Sequence, residues 1–161
     1  MSSDNKPKPE LAQPQPAPTV LHRPPAPGVL AGVDEAMIKS LVDAFYARIR
    51  ADDVLGPIFT REITDWEPHL AKMYNFWSSV VLMTKRYEGR PVPAHVKIEG
   101  LDHPHFEHWL ALFERTARDV CPPDAAALFI DRANRIAQSL RLSLDFHRGV
   151  LPPLKAPIRA G

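Results

Sequence analysis

The stretch Tyr87-Glu88-Gly89-Arg90-Pro91-Val92-Pro93-Ala94-His95 interrupts a chain that otherwise reads as helix. A glycine and two prolines within five residues weaken any helical ladder, so none is expected to run through Tyr87 to Pro93. The interruption lies between two amphipathic stretches that both turn aromatic faces inward, and it ends on a histidine. A connection of this length in a compact helical fold is usually functional. Lys85 to Gly100 is therefore expected to be the least regular part of the domain.

Outward from it the apolar period is helical throughout. Met37, Ile38, Leu41, Val42, Phe45 and Ile49 recur at spacings of three and four, with Tyr46 beside the stripe. Asp52-Asp53 ends that helix, and Gly56-Pro57 forms a turn before Ile58-Phe59. Thr64 with Glu67 three residues on reads as a capping box. The stripe that follows runs through Trp66, His69, Leu70, Met73, Phe76, Trp77, Val80 and Val81, with Pro68 tolerated in the first turn. A third long helix opens near Asp102-His103-Pro104 and buries Phe106, Trp109, Leu110, Phe113, Ala117 and Val120. A fourth follows Pro122-Pro123-Asp124 and carries Leu128, Phe129, Ala133, Ile136, Ala137, Leu140 and Leu144. No segment alternates like a strand. An all-α domain of four substantial helices is expected over residues 33–148.

Proline-rich tails flank it. Residues 1–32 hold eight prolines and few large apolar side chains, so disorder with polyproline II character is expected there, and likewise over 149–161. The chain of 161 residues, 45% hydrophobic and 24% charged, suits one globular domain. Its 20 Lys plus Arg balance 19 Asp plus Glu, which argues against a nucleic-acid binder driven by phosphate neutralisation. A single cysteine, Cys121, excludes an internal disulfide and any Cys-based zinc or iron–sulfur site. No apolar run is long enough for a membrane span and no signal architecture opens the chain, so a cytoplasmic location is expected.

The chemistry-bearing residues converge on one cofactor. His95, stiffened by Pro91 and Pro93 and covered by Val96 and Ile98, suits an axial imidazole; the plain alternative is an exposed loop histidine. His69 shares a helix face with Met73 and Trp77, a face that could wall a pocket or simply belong to the core. Tyr46 and Trp109 pair apolar bodies with polar tips that could aim donors at a bound ligand, or be core aromatics. With no other ligand set present, this pattern points to haem. His103, His105 and His108 cluster at one helix start, where solvated, cap-adjacent histidines are a stronger reading than a transition-metal site.

Taken together, Phe45-Tyr46, Leu55-Gly56-Pro57-Ile58-Phe59, Trp66 with His69 and Phe76-Trp77 resemble a group III truncated haemoglobin. Tyr87-x-Gly-x-Pro-x-x-x-His95, then Phe106-x-x-Trp109-Leu110 and Phe113, continue the likeness over about residues 34 to 145. The resemblance implies a two-over-two helical sandwich holding haem b, one iron per chain. It implies His95 as proximal ligand and Phe59 packed on the porphyrin. Tyr46, Trp109 and His69 become the distal set, with His69 a gate. Lys72, Arg86 and Arg90 are candidates for the propionates. The tails have no counterpart in the family pattern.

The expected function is binding of oxygen, nitric oxide or carbon monoxide, with no assigned catalytic residue. The alternative is a peroxidase-like or nitric-oxide-detoxifying haem enzyme using peroxide or a reductase. For a peroxidase, Glu99 is the near candidate to strengthen the proximal imidazole. A third reading, a helical interaction module without cofactor, fits poorly with three tryptophans and two inward histidines in a small core.

Overall fold

The computed structural model describes residues 23–150, which form seven helices and no strand. These are α1 (Pro27–Leu30), α2 (Glu35–Ala51), α3 (Leu55–Glu62), α4 (Trp66–Leu82), α5 (Pro91–Val96), α6 (His103–Val120) and α7 (Pro123–His147). The four long ones, α2, α4, α6 and α7, are those expected from the apolar period. None of the described helices is long and apolar enough to cross a membrane.

Local chemistry sets the boundaries. Asp34 caps α2 by accepting from the Met37 amide at 2.8 Å, and Glu35 follows in the first turn, where the helix dipole favours an anion. At the other end Asp52 turns the chain, its Oδ1 accepting from the Val54 and Leu55 amides at 2.9 Å each. That bond pair starts α3, a short helix where the sequence suggested only a turn. Pro57 sits in its first turn, where an amide hydrogen has no partner to lose. The Thr64–Glu67 capping box does not form: α4 begins at Trp66 behind Asp65, without a side-chain cap. Asp102 caps α6, and His105 closes the capping box from the third helical position.

Packing is two-over-two. α6 and α7, joined through Cys121 and Pro122, form one hairpin, and α2 packs on both α4 and α6. The centre is an aromatic column. The Trp77 and Trp109 rings stack on the two sides of Phe113 at 5.1 and 5.4 Å, and Phe45 meets Phe113 edge-on at 5.0 Å. Phe45 and Phe113 are fully buried.

Two differences from the sequence reading concern short elements. Pro27–Leu30, inside the stretch assigned to the amino-terminal tail, is helical and lies on α4. Gly28 permits this, because a Cβ there would stand 2.6 Å from the Val81 carbonyl oxygen. Residues 1–22 and 151–161, the rest of the presumed tails, lie outside the described residues. Within the irregular segment, α5 starts at Pro91. Its two prolines fall in the first turn, where missing amides cost nothing, so proline here opens a helix rather than forbidding one. α5 packs against α7.

Candidate functional site

α5 presents His95 from its last turn. The Nδ1 of His95 lies 2.5 Å from the Pro91 carbonyl oxygen, so this nitrogen carries the proton and donates it. In the neutral ring this leaves the lone pair on Nε2. A neutral imidazole held in one tautomer by a backbone carbonyl is what an axial metal ligand needs.

His95 lines a cavity of ≈ 390 Å³ enclosed by α2, α3, α4, α5, α6 and α7. Its walls are mostly apolar and include Phe45, Ile58, Phe59, Phe76, Trp77 and Leu140. Tyr46, His69, Met73 and Trp109 also line it, so one space gathers every residue the sequence assigned to the site. Such a space, apolar with a few convergent polar groups, has the character of a small-molecule site.

His69 is half-buried, and its Nε2 is the one buried side-chain nitrogen or oxygen without a hydrogen-bond partner among the described residues. Leaving such a group unpaired costs about 1–3 kcal/mol. Burial lowers the His69 pKa from 6.5, and the charge of Lys72 pushes the same way, which favours the neutral ring. Tyr46 is buried against Phe45, Phe59, Trp66 and His69. Burial raises its pKa and keeps the phenol protonated, hence a donor. Trp109 is held between Phe113 and the edge of Phe45, which fixes its indole against the cavity.

Similarity to known proteins gives the family. The bacterial-like globin family model matches residues 30–139. Over 121 residues, 73% of this chain and 95% of the relative, the sequence is 33% identical to the group 3 truncated hemoglobin ctb of Campylobacter jejuni. The chain belongs to the group III truncated haemoglobins. The crystal structure of the group III truncated hemoglobin from Campylobacter jejuni superposes with a TM-score of 0.66, at 33% identity, over 70% of this chain and 91% of that one. The 2/2 hemoglobin of Synechococcus sp. PCC 7002, with covalently attached heme, matches at a TM-score of 0.59 over 74% and 97% of the two chains. At 21% identity that likeness concerns the fold.

A globin implies haem, and the residues of this truncated haemoglobin fit it: an apolar slot, an imidazole whose Nδ1 is committed to a backbone carbonyl, and an orphaned polar atom on a lining residue. The propionate candidates separate. Lys72 lines the cavity. Arg86 instead pairs with Glu35 at 3.2 Å, and Arg90, the exposed residue before α5, is not among the lining residues. Glu99 does not support His95 through its carboxylate. The carbonyl of Pro91 takes that place, and the Glu99 backbone oxygen accepts from Arg61 at 2.8 Å.

The histidine cluster is structural in this globin. His103 bonds Asp145 and His108 bonds Asp52, each at 2.7 Å, and among the described residues no group of three side chains could hold a metal ion. Cys121 is buried, and burial pushes its thiol up to about 11, which leaves it inert. The sequence reading missed Glu62, Tyr87 and His105 as lining residues. Tyr87 carried a usable signal, since it heads the motif that ends on His95 and meets Phe76 edge-on at 5.1 Å. Glu62 carried none, for it closes a helix that the sequence reading took for a turn.

Proposed function

We propose that this truncated haemoglobin binds one haem b through His95 and uses it to hold oxygen, nitric oxide or carbon monoxide. Haem supplies an iron with one open coordination position where such a gas binds reversibly. The observation that carries the reading is the pairing of His95, whose Nδ1 is committed to the Pro91 carbonyl, with the unpartnered Nε2 of His69 in the same cavity.

The chain's own residues then divide the work. His95 fixes the cofactor and Phe59 packs against it, with Met73 filling the distal wall. Lys72 offers a cation to its carboxylates. Tyr46 and Trp109 supply O–H and N–H donors on the distal side, and His69 adds a third polar group. A gas that gains negative charge on binding is stabilised by such donors by about 1–3 kcal/mol each. This favours tight retention with slow release over bulk transport, in a cytoplasmic setting.

The carbonyl partner of His95 favours ligand binding over a peroxidase-like role. A carboxylate there would make the imidazole more electron-rich, and none is in place. Nitric-oxide detoxification on the same scaffold would draw on a separate reductase.

The test is the visible spectrum of the purified protein with hemin in ferric, ferrous and carbonylated states, beside His95→Ala. A sharp, stoichiometric Soret band that His95→Ala weakens or shifts is expected. Loose hemin association, indistinguishable in the variant, would sink the assignment of His95.

A further inference from the structure

Behind Tyr46 lies a second space. A surface cleft of ≈ 330 Å³ opens between α2 and α4, and Tyr46 borders both this cleft and the haem cavity. The partition between them is one side chain thick. It consists of three rings meeting edge-on: Trp66 stands 6.0 Å from Tyr46 and 6.0 Å from His69, and Tyr46 stands 5.3 Å from His69.

The two ends of the cleft are closed differently. At one end Tyr74 donates to the Asp43 carboxylate, which also takes the Lys39 ammonium at 2.6 Å. At the other end the Arg50 guanidinium lies over the Trp66 ring, 4.6 Å from its centre. Arg50 is exposed, and contacts of this kind are weak at the surface, where side chains change rotamer within nanoseconds. Trp66 is also the first residue of α4, behind an Asp65 that makes no capping bond. The Trp66 end is the one that opens at least cost.

We infer that the α2–α4 cleft is a way-station for a small uncharged gas, and that Trp66, latched by Arg50, is the door through which the gas reaches the distal cavity. The inference rests on the haem-ligand reading above. Passage here needs no swing of His69 out of its buried position and no movement of α5. The apolar surface of Trp66 and Leu70 receives a diatomic molecule, whereas the charged rim of Lys39, Asp43 and Arg50 offers nothing to retain it.

A door changes the rate of passage in both directions and leaves the equilibrium alone. Carbon monoxide association and dissociation would be measured by flash photolysis and ligand replacement on the holoprotein, in wild type, Arg50→Ala and Ala47→Trp. Ala47 is exposed on α2 and lines the cleft, so an indole there plugs it without entering the core. Arg50→Ala is expected to speed both rates by about two- to fivefold, the worth of a surface cation–π contact. Ala47→Trp is expected to slow both, again at unchanged affinity and with an unchanged Soret band. Wild-type rates in both variants, or an affinity that moves with one rate alone, would overturn the door. Absence of a Soret band in the wild type would overturn the haem reading and the door with it.

Discussion

The two halves of the cavity, distal and proximal in the proposed haem site, are built on opposite principles. The distal half hangs on three long helices, α2, α4 and α6, whose aromatic rings interlock around Phe113. Tyr46 and Trp109 inherit their positions from that column, since each touches Phe45 edge-on. The proximal half depends on the six residues of α5, none of them buried, which pack against α7. One backbone carbonyl, that of Pro91, orients His95. Distal precision thus comes from dense packing, and proximal precision from proline stiffness and a single hydrogen bond.

That contrast can be broken most sharply at His95. His95→Ala should speed hemin loss by more than about a hundredfold, a greater effect than altering a supporting residue, while the fold survives because α5 carries little of the core. Hemin transfer to an excess of acceptor globin measures the loss, and far-ultraviolet circular dichroism checks the fold. Hemin retention like that of wild type would place the proximal ligand elsewhere.

Phe45→Ala attacks the distal side and should do the reverse. Removing a fully buried ring from the centre of the column should destabilise the fold by about 3–5 kcal/mol, read from urea unfolding of the hemin-free chain. A cost below about 1 kcal/mol would mean that the column relaxes around the gap and that distal order has another source.

A smaller effect is expected from the donors. Tyr46→Phe and Trp109→Phe should each raise the oxygen dissociation rate by about ten- to a hundredfold, with stability little changed for the first. Rates that stay put would leave these side chains as core aromatics only.

The smallest effect concerns pH. Because burial lowers the His69 pKa below 6.5, the folded chain resists a proton that the unfolded chain accepts. Stability should therefore fall as pH drops below about 6.5 and level off beneath the depressed folded value. His69→Gln should flatten that part of the profile in urea midpoints of the hemin-free chain. An unaltered slope would assign the acid sensitivity to other groups.

Legibility followed the same division. The four long helices and their burial faces could be read from spacing, because a helix of 3.6 residues per turn writes its buried face into the sequence, whereas distal roles came only with the family resemblance. The short helices could not. α3 and α5 are too brief for a period to show, and both contain proline, which reads as a breaker unless its place in the first turn is known. Gly28 likewise looked like part of a flexible tail, and its reason is a backbone approach to Val81 that local sequence does not contain.

The sequence by itself determined an all-helical globin domain and named His95, His69, Tyr46 and Trp109 as a set. Their residue types and helical phase are local properties, and the motif around His95 is contiguous. Only the tertiary structure decided that Lys72 rather than Arg86 or Arg90 faces the cavity, that Pro91 rather than Glu99 orients His95, and that Tyr46 divides two spaces. Each of those facts depends on which surfaces meet when the helices pack. Side chains far apart in the chain, or free to swing on long flexible stems, acquire a partner only once that packing is complete.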